Sequence, residues 1–186
     1  MRKIYIILTR SQTILSRIVH FITKDPYTHA SIAFEEDMMT FYSSSRKNGR
    51  TLFPAGPCEE RLADGYFSRH KNIPCIVYEM EVAEEIYENA KNEVSKIIDN
   101  SKKYHFNIIG LMLCRLNIPY ERKRNFFCSQ FVSEILKRSS AMAFSKDVTL
   151  IRPIDYMSMN GLSCCFRGTI YDYSTVCTEL PMNGGA

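Results

Sequence analysis

Two apolar-rich segments, residues 29–34 and 38–44, are separated by only Glu35-Glu36-Asp37. A parallel pair needs a crossover of roughly a dozen residues or more, so this spacing leaves an antiparallel hairpin. With the turn centred between Glu36 and Asp37, facing residues have numbers summing to about 73. That register sets His29 opposite Ser44, or near Ser43 if the loop carries a bulge.

The rest of the chain follows the same local logic. Residues 3–8 read as a strand, and Pro74 introduces another over 75–82, with Ile76, Tyr78, Met80 and Val82 alternating onto one face. Ser11 is placed as an N-cap, with Ile14, Leu15, Ile18, Val19 and Ile22 at helical spacing before Asp25-Pro26. A loop-rich stretch over 45–64 carries Gly49, Pro54, Gly56 and Pro57, and is long enough to wall an active site. A helix is predicted over 84–99. Residues 107–118 are apolar nearly all round, which predicts a buried helix ended by Pro119. After a helix at Cys128, a last strand is expected over 165–171, then a frayed tail over 181–186. Local strand pairing with helices grouped between strands gives an α+β class and a single domain over 1–180.

Composition narrows the function. The chain has 186 residues, a formal charge of +4 and no basic stripe interleaved with aromatics, so nucleic acid is not the expected partner. Seven cysteines, an odd number without regular spacing and without a CxxC pair, imply neither a disulfide framework nor a zinc site. The apolar run after Met1-Arg2-Lys3 stops at Thr9-Arg10, too short for a signal peptide. No stretch reaches the roughly 18 apolar residues of a membrane span. A cytoplasmic location is therefore expected, where thiols stay reduced.

The chemistry lies in two distant segments. Cys128 falls in the first turn of its helix, just after Arg122-Lys123-Arg124 and Asn125, while Phe131, Val132, Ile135 and Leu136 supply the apolar stripe without it. A thiol at a helix N-terminus near positive charge is biased toward thiolate, and a strand imidazole such as His29 can hold and return its proton. The bland alternative is a core cysteine, one of seven. His20, His70 and His105 lack a comparable setting and read as structural. For a third residue orienting the imidazole, Ser43 and Ser44 are the candidates, with Glu59 and Glu60 in the following loop as alternatives. Tyr27, Tyr42 and Ser129, next to these residues in sequence, are expected to contact substrate.

Residues 25–33 (DPYTHASIA), 41–48 (FYSSSRKN) and 126–134 (FFCSQFVSE) resemble a circularly permuted branch of the papain-like NlpC/P60 superfamily. That branch includes the YiiX-like bacterial proteins and, more distantly, the lecithin:retinol acyltransferase-like proteins. In the ordinary branch the cysteine helix precedes the histidine strand; here His29 comes first and Cys128 follows 128 − 29 = 99 residues later. The resemblance implies a permuted papain-like fold, an antiparallel sheet or barrel packed against helices. It also implies a Cys128 nucleophile, a His29 base and a polar third residue, which by alignment is Ser43. Relatives often carry His or Glu there, so serine is a departure. The activity implied is that of a cysteine amidase or peptidase on a small peptide or acyl substrate, with no cofactor. Acyl transfer to lipid or amine acceptors and an inactive binding module are the alternatives.

Overall fold

The computed structural model describes residues 1–10, 25–35, 37–46 and 55–179. The helix expected over 11–22 and the tail over 181–186 lie outside the described residues. The architecture is α+β, built on a six-stranded sheet whose neighbouring strands are all antiparallel. Its strands are β1 (Arg2–Thr9), β2 (His29–Phe34), β3 (Asp37–Arg46), β4 (Ala55–Arg61), β5 (Pro74–Val82) and β8 (Ser163–Thr169), in spatial order β4-β3-β2-β1-β5-β8.

β1 is apolar at every position from Ile4 to Leu8 because both faces of the sheet are covered. Ile4, Ile6 and Leu8 pack in one core with helix α2 (Glu84–Asp99), through Tyr87, Ala90, Val94 and Ile97, and helix α4 (Cys128–Arg138), through Phe131, Val132, Ile135 and Leu136. Tyr5 and Ile7 point the other way, into a second core with Phe67 of α1 (Gly65–Arg69) and Ile170, Tyr173 and Cys177 of α5 (Ile170–Glu179). Helices on two faces of one sheet make three layers.

Three sequence expectations are corrected. The first is hairpin register: Phe34 pairs with Asp37 but Ile32 with Tyr42, so two steps of β2 span five of β3. A bulge of this size shifts the facing sum away from 73 and carries Ser45 into line with His29 when the Ile32–Tyr42 register is extended. The second is the loop over 45–64, which contains β4, paired with β3 from Thr40↔Arg61 to Arg46↔Ala55. Gly56 and Pro57 masked this strand. It is the sheet's edge, where proline is tolerated, and a Cβ on Gly56 would approach the Tyr104 carbonyl oxygen to 2.9 Å. The third is at the end of the described chain, where the strand stops at Thr169 and α5 begins.

Helix α3 (Ile108–Arg115) is a further correction, since it is buried on one side only. Leu111 and Cys114 pack on Phe127, the residue before Cys128, whereas Ile109, Met112, Leu116 and Ile118 are 47–69% exposed. Its N-cap is Asn107, whose side chain accepts from the Gly110 N–H at 2.9 Å and donates toward Gln130 of α4. At its C-terminus Asn117 adopts a left-handed φ of 57°, the Asn117 N–H reaches the Cys114 carbonyl and the Ile118 N–H the Leu113 carbonyl. This Schellman closure satisfies the last carbonyls and turns the chain away. Two short strands, β6 (His105–Phe106) and β7 (Asn125–Phe126), pair in parallel and lead into α3 and α4 respectively.

Candidate active site

The nucleophile candidate sits where the sequence reading placed it, at the first residue of α4. Phe127 is the N-cap and provides no side-chain hydrogen bond, so the first-turn N–H groups are left to other acceptors. The helix is held rigidly behind the thiol. The Ser129 hydroxyl donates to the Ile151 carbonyl at 2.7 Å, and the buried Tyr156 hydroxyl donates to the Ser129 carbonyl at 3.1 Å and meets Ser133 Oγ at 2.6 Å.

His29 opens β2 with its imidazole close enough to the Cys128 thiol for each to shift the other's charge, while the thiol itself points toward the Thr28 carbonyl oxygen, 4.0 Å from sulfur. The other side of the ring meets Glu60 of β4: Nε2 lies 3.1 Å from both carboxylate oxygens. Ser31 Oγ meets the same nitrogen at 3.2 Å. Glu60 is fixed in turn by hydroxyls, accepting from Ser31 at 2.9 Å and from Ser45 at 2.7 Å. Ser31 shares a face of β2 with His29 because side chains two apart on a strand point the same way. Cys58 lies at the rim of this network, its sulfur 3.1 Å from Ser45 Oγ.

The three groups bias one another's charge. Burial opposes ionisation of Cys128, but the hydrogen bond and charge of His29, with the N–H groups of Ala30 and Ser129, outweigh it and hold the thiol below its ordinary value. Burial likewise opposes imidazolium, yet the Glu60 carboxylate and the bonds to Cys128 and Glu60 raise His29 well above its ordinary value. Glu60, despite burial, is held low by His29 and by the Ser45 and Ser31 hydroxyls. All three shifts run toward a thiolate, an imidazolium and a carboxylate in series. By contrast burial pushes Cys75 and Cys114 up and, with the nearby Glu79 carboxylate, takes Cys165 to about 11, so these thiols stay protonated near neutrality.

The serines expected beside the imidazole have other partners. Ser43 Oγ donates to the Ala30 carbonyl at 2.8 Å and Ser44 Oγ to the Phe126 carbonyl at 2.7 Å, both fully buried. They brace β2 and β7, the segments that carry His29 and precede Cys128. Glu59 points outward to Arg61. Among the residues expected to contact substrate, Tyr27 is buried in the first core, Ser129 is committed to Ile151, and the half-buried Tyr42 packs on Phe34 with ring centroids 6.3 Å apart. His70 stacks on Tyr66, and His105 is exposed in β6. No group of three or more His, Cys, Asp or Glu side chains among the described residues is placed to hold a metal ion.

Comparison with models of protein families, with curated proteins and with solved structures finds no match to this chain. Among the described residues no helix is long and apolar enough to cross a membrane.

Proposed function

We propose that this protein is a cysteine hydrolase of the amidase or peptidase type, built on a circularly permuted NlpC/P60-like plan. The observation that carries the reading is the buried Cys128–His29–Glu60 series, in which all three charge shifts favour the state a thiol nucleophile needs. A chance core cysteine has no such partners.

In the proposed reaction the Cys128 thiolate attacks an amide or ester carbonyl carbon, forming a C–S bond and an oxyanion. The uncapped N–H groups at the start of α4, that of Cys128 among them, are aimed to stabilise it. His29 imidazolium gives its proton to the leaving amine or alkoxide as the C–N or C–O bond breaks. Water then attacks the thioester, His29 takes a proton from it, and sulfur leaves as thiolate. Glu60 stabilises the imidazolium throughout, which a serine hydroxyl in that place would do far less well. The fit of Glu60 to this role also weakens the reading of an inactive scaffold, which rested on serine as third residue.

The test is reaction of the native chain with acyl-type electrophilic probes and location of the adduct by mass spectrometry. Labelling at Cys128, lost in Cys128→Ala and His29→Ala, supports the proposal. Labelling at exposed Cys164 in preference to Cys128 would falsify it.

A further inference from the structure

We propose that the outer face of α3, with the basic turn beside it, docks the protein on an anionic lipid surface. Of the eight large apolar side chains exposed among the described residues, five, Ile108, Ile109, Met112, Leu116 and Ile118, fall within eleven consecutive positions. A contiguous apolar patch on an otherwise ordinary surface marks a contact site. Its neighbourhood says which kind.

Residues 101–124 contain Lys102, Lys103, Arg115, Arg122, Lys123 and Arg124 against a single carboxylate, Glu121. Arg115 is paired with Asp25 at 2.9 Å, whereas Lys102, Lys103, Arg122, Lys123 and Arg124 are exposed. The fold gathers them. The His105 N–H donates to the Arg124 carbonyl at 2.9 Å, and Tyr104 stacks on Phe126 with centroids 5.8 Å apart. The two basic runs therefore lie side by side at the strand pair that feeds α3. Apolar side chains flanked by cations suit headgroup phosphates above and acyl chains below, the composition of an interfacial helix. A protein partner of matching acidity is the disfavoured occupant, because the apolar row lies on the outside of α3 and the turn that closes it rather than in a groove.

The inner face of α3 packs through Leu111 and Cys114 on Phe127, the residue before Cys128, so about one helix diameter, roughly 10–12 Å with side chains, separates a docked bilayer from the start of α4. The candidate nucleophile would then work next to the lipid surface. The docking itself does not depend on the acyl chemistry.

Co-sedimentation of the full chain with vesicles of phosphatidylcholine alone, or mixed with phosphatidylserine, tests this. Binding to the anionic vesicles is expected, weakening as salt rises. Arg122→Ser with Lys123→Ser should reduce the partition coefficient roughly 30-fold, at about fivefold per cation. Ile109→Asp and Met112→Asp, both at half-exposed sites that do not test the core, should each reduce it about tenfold or more. Val176→Asp, on exposed α5, should bind as the parent does, and so should Cys128→Ser, which separates docking from catalysis. Equal binding to both vesicle types, unaltered binding by Ile109→Asp, or a dimer that Ile109→Asp dissociates would each overturn the proposal.

Discussion

Both carboxylate oxygens of Glu60 stand 3.1 Å from Nε2 of His29, so a residue of the sheet's edge strand controls the charge of an imidazole two strands away. Glu60→Gln keeps the shape and removes the charge. His29 should then lose its proton more readily and Cys128 its thiolate, lowering alkylation of Cys128 at mildly acidic pH by about 10²-fold or more. Competition labelling of wild type and variant, resolved by peptide mass spectrometry, measures the ratio.

The pH profile follows from the directions of the shifts. Cys128 lies below its ordinary value and His29 well above its own, so both shifts favour the ion pair. Iodoacetamide reactivity of Cys128 should therefore fall less steeply from neutral into mildly acidic solution than that of an ordinary thiol, which slows about tenfold per pH unit. Hydrolysis should fall on the alkaline side as His29 loses its proton.

Stability carries opposite signs from the same groups. The depressed values of Glu60 and Cys128 contribute stability present above their unfolded values and lost as pH falls through the folded ones. The raised value of His29 contributes below its unfolded value and is lost as pH rises through the folded one. Melting curves of wild type and Glu60→Gln should converge in acid, and an undiminished gap there would contradict the coupling.

Ser43→Ala and Ser44→Ala should behave as structural changes. Each removes a buried hydrogen bond, to the Ala30 or the Phe126 carbonyl, the latter keeping the Asn107 N–H at 3.1 Å, and should cost about 0.5–1.5 kcal/mol in denaturant unfolding. Neither hydroxyl touches the imidazole, so the pH profile of Cys128 labelling should keep its midpoint.

Gly110→Ala tests the seat of α3. An added Cβ would collide with the Asn107 carboxamide that caps the helix and reaches Gln130. Loss of the cap should cost on the order of 1 kcal/mol, with additional strain from overpacking. Hydrogen exchange at the Gly110 and Leu111 amides should quicken before that of the sheet.

The positions of Cys128 and His29 were legible because their signals are local: a thiol at a helix start with an apolar stripe that does not need it, and a histidine opening a strand. Glu60 was visible only as one of two acids in a presumed loop, because Gly56 and Pro57 suppress strand propensity where an edge position tolerates them. The serine placement failed through register. Two residues of β2 against five of β3 is a bulge that no alternation pattern reports. α5 was obscured by Tyr, Thr and Val, residues that favour strands, yet Thr169 and Asp172 form a reciprocal cap there, with Thr169 N–H on Asp172 Oδ2 and Asp172 N–H on Thr169 Oγ1. That T-x-x-D spacing was the available signal. For α3 the pattern gave hydrophobicity correctly but not its direction, since an all-apolar segment looks the same whether protein covers one side or both.

The 99-residue separation of His29 from Cys128 has a consequence in time as well as space. At a translation rate of about 5–20 residues per second, the sulfur is polymerised roughly 5–20 s after the imidazole proposed as its base. Until then the half-made sheet carries an unreactive imidazole, and the thiol emerges without an activator until α4 docks. On the proposed chemistry, reactivity is therefore switched on by completion of the tertiary structure, which spares the nascent chain and the ribosome's surroundings from a premature electrophile trap.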